Sequence, residues 1–154
     1  MVLLAIALLA GGLVVVSCAD VGSSTNTSST SNSVTTIQCE SMTKGGQYAE
    51  DISSPFNGVR LYANNDKVSY NHYFSNNKHT FTLCGSSADD TTAEVQLKIG
   101  GTSYGSFKFG SGVSIRSITA AHNKGGGSAT VELIFVNARN QGVNLDYLGM
   151  KFAN

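Results

Sequence analysis

The chain has 154 residues, enough for one domain with extensions, and its ten basic and ten acidic residues give a formal net charge of zero. A protein that binds nucleic acid needs a basic face to displace counterions, and charged residues make up only 13% of this chain, so we do not expect nucleic acid as a partner. Seventeen glycines and a single proline, with many Ser, Thr and Asn residues, favour short strands joined by turns over helices.

The chain opens on an apolar leader, residues 1–19, which carries no charged side chain. Its run from Leu3 to Val16 has the length of a signal segment, although the usual basic residues at its start are missing. The end of the leader fits a lipobox with Cys18 as the lipidated residue, and it also fits ordinary cleavage after Ala19. A retained anchor is a third reading, at the short edge of what spans a bilayer. We expect export, with lipid anchoring to a membrane and free secretion as alternatives.

Residues 20–36 are almost entirely Ser, Thr and Asn, which predicts a flexible linker. From residue 37 to residue 154 the pattern changes to an alternation with a period of two. Val95, Leu97 and Ile99, for example, alternate with polar neighbours, and clusters of Gly or Asn separate such runs. This pattern predicts an all-β domain, a sandwich or barrel of short strands.

Catalytic and metal-binding motifs are missing from this domain. Its carboxylates lie in turn-like segments or at outward strand positions, and no G-x-S-x-G, H-E-x-x-H or phosphate-loop motif is present. His72, His79 and His122 lack the spacing of metal ligands. We therefore expect no enzyme.

Two cysteines, Cys39 and Cys84, remain once Cys18 is assigned to the leader. In an exported domain such a pair permits a disulfide, which would close a loop of about 45 residues and stabilise the fold by roughly 4 kcal/mol. The alternative is two buried free thiols.

Exposed aromatic rings are the usual platform for sugars, because the C–H bonds of a pyranose pack on an aromatic face. The chain has no Trp and six Tyr. Tyr48 follows a glycine-rich segment and Tyr62 ends an apolar run just before Asn64-Asn65-Asp66. These two rings are the best candidates for exposure.

The segment Glu40-Ser41-Met42-Thr43-Lys44-Gly45-Gly46 followed by Tyr48 resembles the opening of family 36 carbohydrate-binding modules. The resemblance continues through Ser54-Pro55-Phe56-Asn57-Gly58-Val59, through Leu61-Tyr62-Ala63-Asn64, and on to Leu145-Asp146-Tyr147-Leu148. It implies an antiparallel two-sheet jelly roll of the galactose-binding type, related to families 6 and 35, that binds xylan. In this family a calcium ion bridges carboxylates and sugar hydroxyls, and the two matching tyrosines are Tyr48 and Tyr62.

The chain departs from the family pattern just before that last motif, where Arg139 and Asn140 stand in place of aspartates. A cation there opposes a divalent ion, so the departure disfavours a calcium-bridged sugar. Arg139, Asn140 and Asn144 would instead offer hydrogen bonds to a sugar stacked on the tyrosines. The resemblance also implies a second, structural calcium, with Gln38, Glu40 and Asp146 as the matching ligands.

Two functions follow as hypotheses. The first is non-catalytic binding of a xylan-like polysaccharide by a secreted or surface-anchored module. The second is a structural subunit of an extracellular filament or surface layer, in which a degenerate sugar-binding fold self-associates and retains its apolar leader.

Overall fold

A computed structural model describes residues 33–136 and 142–154. Within these ranges the chain forms eleven β-strands and one 3₁₀ turn, Cys39–Ser41. The strands are β1 (Thr35–Gln38), β2 (Thr43–Gly45), β3 (Ala49–Ile52), β4 (Gly58–Leu61), β5 (Lys67–Phe74), β6 (Lys78–Ser87), β7 (Ala93–Ile99), β8 (Thr102–Phe109), β9 (Ser114–Ala121), β10 (Gly127–Phe135) and β11 (Val143–Phe152). Over the same ranges, no helix has the length and apolar character needed to cross a membrane.

The strands form two antiparallel sheets. Sheet one has the order β3-β4-β11-β6-β9, and β1 pairs with the C-terminal half of β11. Sheet two has the order β2-β5-β10-β7-β8. This arrangement confirms the expected all-β, two-sheet sandwich. The sheet begins at Thr35, two residues before the start expected for the domain.

The core lies between the sheets and follows the alternation of the sequence. β7 shows it most clearly, because Ala93, Val95, Leu97 and Ile99 are all buried while the residues between them are partly exposed. Large side chains from both sheets meet there, including Phe81 and Leu83 of β6 and Leu133 and Phe135 of β10. Burial of these apolar side chains is the main stabilising contribution to the sandwich.

The connections between strands gather at two opposite ends of the sandwich. One end, here called the loop end, holds the β2–β3 and β4–β5 connections, because the end of β2 pairs with the start of β5. The β10–β11 connection starts at this end too, since Phe135 bonds to Asp66. The other end, here called the histidine end, holds the β5–β6 and β9–β10 connections.

The histidine end is packed around a pair of buried rings. His79 Nδ1 lies 2.9 Å from His122 Nε2, and the two rings stack with centroids 5.1 Å apart. Phe74 and Phe152 pack against this pair. Burial, followed by the proximity of His122 and His72, lowers the pKa of His79 to about 4.

Candidate functional site

Tyr48 and Tyr62 lie side by side at the loop end. The backbone N–H of Tyr62 donates to the carbonyl oxygen of Tyr48 at 3.2 Å. The Tyr48 side chain is 58% exposed, and that of Tyr62 is partly exposed. The structure therefore places the two tyrosines predicted from the sequence on neighbouring connections, with their backbones in contact.

A buried carboxylate, that of Asp66, holds the two connections together. Its Oδ1 accepts hydrogen bonds from the N–H groups of Gln47 (2.6 Å) and Tyr48 (3.1 Å), and its Oδ2 accepts from those of Tyr62 (3.1 Å) and Ala63 (2.7 Å). Burial raises the pKa of Asp66, but these four hydrogen bonds outweigh that effect and leave the pKa below its usual value. Asp66 is thus ionised, and its carboxylate with these four N–H donors forms a hydrogen-bonded centre, here called the hub, that joins the two tyrosine connections.

Gly46 is required for this hub. Its φ is +102°, in the left-handed region, and a Cβ at this position would lie 2.4 Å from Asp66 Oδ1 and 2.6 Å from Asp66 Cα. No other residue fits without displacing the carboxylate. Gly46 of the motif therefore has a packing reason as well as a conformational one.

The Tyr62 ring is held from two directions. Its hydroxyl donates to Glu50 Oε1, and this hydrogen bond is the main reason that the pKa of Tyr62 is raised. The Arg60 guanidinium lies 5.7 Å from the ring centroid, within the range of a cation–π contact. Glu50 and Arg60 are direct neighbours across the β3–β4 pair, so the sheet itself places them beside Tyr62.

Asn144 of β11 holds Arg60 in its position beside Tyr62. It lies on β11 between Arg60 of β4 and Ser86 of β6, and only 3% of it is exposed. Its Oδ1 accepts a hydrogen bond from Arg60 Nε at 2.6 Å, and its Nδ2 donates to Ser86 Oγ at 3.3 Å. The expectation that Asn144 offers hydrogen bonds to a sugar is therefore corrected, because its amide is buried and bonded to Arg60 and Ser86.

Arg139 and Asn140, the other two residues expected to contact a sugar, lie outside the described residues. The connection that carries them resumes at Gly142, whose φ is +121°. A Cβ on Gly142 would lie 2.5 Å from the carbonyl oxygen of Leu61 and 3.4 Å from Tyr62 Cα. This connection therefore rejoins the sheet directly beside Tyr62.

The expected calcium ligands Gln38, Glu40 and Asp146 lie on neighbouring segments. Gln38 ends β1, Glu40 lies in the 3₁₀ turn that packs on β11, and Asp146 lies on β11. Burial, then the charges of Asp146 and Glu40, raise the pKa of the Cys39 thiol, so both carboxylates lie near that side chain. Glu40 Oε2 is buried and has no hydrogen-bond partner within residues 33–136 and 142–154.

An orphaned carboxylate oxygen is unfavourable unless a cation binds it. The oxygen donors present therefore fit a hard cation such as calcium. The described residues hold no group of three His, Cys, Asp or Glu side chains arranged for a metal, so backbone or amide oxygens would have to complete the set.

The candidate disulfide between Cys39 and Cys84 is wrong, because Cys39 is a free, buried thiol. The alternation of side chains along β6 explains why the two cysteines do not pair. Phe81 and Leu83 of β6 point into the core, so Cys84 points to the opposite face, whereas Cys39 is part of the core cluster. The sheet separates the two sulfur atoms, which could not be read from their sequence spacing.

Sequence reasoning missed Asp66, Glu50 and Arg60 as residues of this site. The signal for Asp66 was a lone carboxylate in an Asn-Asn-Asp turn that follows a candidate tyrosine. Glu50 and Arg60 gave no separate signal, because their importance depends on the register of β3 with β4.

Solved structures similar to this chain include two family 36 modules. The first is the first such module of a multidomain xylanase from the hindgut metagenome of Trinervitermes trinervoides, with 46% identity, a TM-score of 0.74, and coverage of 79% of this chain and 99% of that one. The second is a family 36 module in complex with calcium and xylotriose, with 36% identity, a TM-score of 0.71, and coverage of 76% of this chain and 99% of that one. Modules of families 6 and 35, at 18% and 15% identity, share the fold.

Curated relatives are much longer enzymes. A bifunctional xylanase/deacetylase of Pseudobutyrivibrio xylanivorans is 50% identical over 98 residues, which are 64% of this chain and 16% of that protein. An arabinoxylan arabinofuranohydrolase of Paenibacillus polymyxa is 50% identical over 78 residues, which are 51% of this chain and 12% of that protein. The chain spans less than a fifth of either enzyme. No family model matches it.

The matches to solved binding modules cover nearly their whole length, whereas the matches to enzymes cover a small part of theirs. The expectation of a non-catalytic module is thereby confirmed, and so is the resemblance to family 36. The chain belongs to carbohydrate-binding module family 36.

Proposed function

We propose that this chain binds xylan or a closely related polysaccharide at the loop end, with the sugar packed on Tyr48 and Tyr62. The observation that carries this proposal is the pair of accessible tyrosines whose backbones are adjacent and are fixed by one buried carboxylate. Rings that are already positioned lose little conformational entropy when a sugar packs on them. The solved relative in complex with xylotriose supports the class of ligand.

Tyr73 offers a matched control for this site. It is 62% exposed, close to the 58% of Tyr48, but it lies near the end of β5 at the histidine end. We expect Tyr48→Ala to lower retention on soluble xylan in affinity electrophoresis by about two- to tenfold, since a stacking contact of an aromatic ring contributes roughly 0.5–1.5 kcal/mol beyond its area burial. Tyr73→Ala should leave retention unchanged.

Equal retention of Tyr48→Ala and wild type would contradict the site, and loss of retention in Tyr73→Ala would move it to the other end of the sandwich. Binding should persist in chelator, because Arg139 opposes a divalent ion where the family carries aspartates. Loss of binding in chelator, at a temperature where the protein stays folded, would instead favour a calcium-bridged sugar.

We also propose a structural calcium held by Glu40 and Asp146, with Gln38 as a neutral oxygen donor. The buried, unpartnered Glu40 Oε2 supports this assignment. When bound, the ion would neutralise the two carboxylates and tie the 3₁₀ turn to β11. It would take no part in the chemistry of the tyrosine site.

Export to the cell surface or the medium is part of the same proposal and rests on the leader, residues 1–19, which includes the candidate lipidation residue Cys18 and lies outside the described residues. The intact mass of the native protein tests it. A mature chain without residues 1–17 supports a processed module, and a chain that keeps them would favour the self-associating subunit. The comparisons give no support to that second function.

A further inference from the structure

The Asp66 carboxylate divides its hydrogen bonds between two connections. Oδ1 serves Gln47 and Tyr48 of the β2–β3 connection, and Oδ2 serves Tyr62 and Ala63 of the β4–β5 connection. Asp66 itself is fully buried. Because the two oxygens are fixed to each other covalently, any displacement of one connection relative to the other must break a bond to this side chain.

Asp66 is in turn anchored to the core. Its carbonyl oxygen accepts a hydrogen bond from Phe135 N at 2.9 Å, its N–H donates to the carbonyl oxygen of Ala63 at 3.0 Å, and Asn65 N donates to Phe135 O at 2.8 Å. Phe135 is the fully buried last residue of β10. The carboxylate therefore has a fixed position relative to the sandwich, and the two tyrosine connections take their positions from it.

We propose that Asp66 is the positioning residue of the sugar site: it sets the spacing of Tyr48 and Tyr62 without touching the ligand. This inference rests on the proposed function and adds to it the source of the site's preorganisation. Asp66 is too deeply buried to contact a polysaccharide, so its effect on binding must pass through the two tyrosines.

Substitution of Asp66 by Asn isolates the effect of the shared carboxylate on the two tyrosine connections. Asn has the same shape, but it presents one acceptor oxygen and one N–H₂ donor in place of two acceptors. Whichever way the amide turns, the two N–H groups of one connection face a donor and lose their partner. Asp66→Asn should therefore release one of the two connections and leave the other in place.

The test is a double-mutant cycle on xylotriose affinity, measured by calorimetry. We expect Asp66→Asn to weaken binding about tenfold in the wild-type background, because unpaired buried amides shift the connection that carries a ring. In the Tyr48→Ala, Tyr62→Ala background, binding is already weak and the same substitution should have little further effect. An equal fold-loss in both backgrounds, or no loss in either, would overturn the proposal.

Amide hydrogen exchange of the full chain without sugar separates this proposal from the proposed function. In wild type, the N–H groups of residues 47, 48, 62 and 63 should be protected, and Asp66→Asn should speed the exchange of one pair. Asp90→Asn, at an exposed carboxylate of the β6–β7 connection, should change nothing. If wild type fails to bind xylotriose, the sugar proposal fails, while unchanged exchange in Asp66→Asn defeats the positioning role by itself.

A second variant tests the close contact between Gly46 and the Asp66 carboxylate. Gly46→Ala would drive its Cβ into Asp66 Oδ1, whereas Gly101→Ala introduces the same kind of positive-φ strain, at +82°, with no atom within 4 Å. Gly46→Ala should weaken xylotriose binding by about as much as Asp66→Asn, and Gly101→Ala should not. Equal affinities for the two glycine variants would contradict the role of Asp66.

Discussion

At the scale of single residues, two carboxylates of this domain have opposite surroundings. Asp66 is surrounded by four N–H donors, and its charge is fully compensated. Glu40 has a buried oxygen without any donor among the described residues, and both Glu40 and Asp146 lie near the Cys39 side chain. The first arrangement is complete within the protein, while the second is favourable only when a cation joins it.

Glu40 therefore gives a test of the structural calcium. A chelator should lower the unfolding temperature of wild type by about 5 °C, because the folded state alone binds the ion. Glu40→Gln should lose most of this response, while Glu94→Gln, on the outer face of sheet two, should retain it. Calorimetric scans with and without chelator measure the difference. Identical unfolding temperatures of wild type in both conditions would contradict the assignment.

The roles of some of these residues could be predicted from the sequence, and the roles of others could not. Tyr48 could be predicted, because a glycine-rich segment before a tyrosine favours an exposed loop. Asp66 could not, since its role arises only when segments 18 residues apart pack around it. The error at Asn144 has the same origin: the register of β11 with β4 and β6 buries its amide, and register is not visible in one sequence.

At the scale of elements, strand periodicity predicted the buried face of β7 and β10 but not the irregularity of β11. The pairing of β11 with β6 shifts between Leu145 and Leu148. After such a bulge the alternation changes phase, which is why both Leu145 and Leu148 reach the core although they are three residues apart. The division into two antiparallel sheets followed from the family resemblance more than from the periodicity.

The histidine end joins β6 to the β9–β10 connection, and its buried rings predict how the stability of the fold depends on pH. The Lys124 N–H donates to His122 Nδ1 at 3.3 Å, so His122 Nε2 carries the proton and donates to His79 Nδ1. Protonation of His79 would remove this acceptor. Lys124 and Lys151 also lie at this end. Burial is the main cause that lowers the pKa of both rings; His122 and His72 lower that of His79 further, and His72 and Lys124 lower that of His122 further.

The folded pKa of His79, about 4, lies below the value of 6.5 expected in the unfolded chain. The unfolded state therefore binds the proton first, and stability that is complete above pH 6.5 declines as the pH falls toward 4. We expect the free energy of unfolding to drop by up to about 3 kcal/mol over this window.

Urea unfolding at a series of pH values measures this decline. His79→Phe, which keeps a ring between Phe74 and Phe152, should flatten most of it. A slope between pH 6.5 and 4 that is the same in His79→Phe and wild type would contradict the assignment to His79. Asp66 acts in a different window, because its lowered pKa keeps it ionised until the pH falls below its usual value.

At the scale of the whole molecule, the sandwich separates two tasks between its ends. The loop end carries accessible rings on a hub of hydrogen bonds, and the histidine end closes the sheets with buried rings. Between them lies a continuous apolar core that holds both ends in place. Such a division suits a module whose only task is to bind, since the ligand surface needs a rigid support and no moving part.

Titration of the isotopically labelled protein with xylotriose, followed by amide chemical shifts, tests the location of the sugar site most directly. Binding at the loop end predicts the largest shift changes at residues 46–48 and 62–66, with small changes at residues 72–79 and 122–126. Shift changes concentrated at the histidine end, or none at saturating sugar, would contradict sugar binding at the loop end.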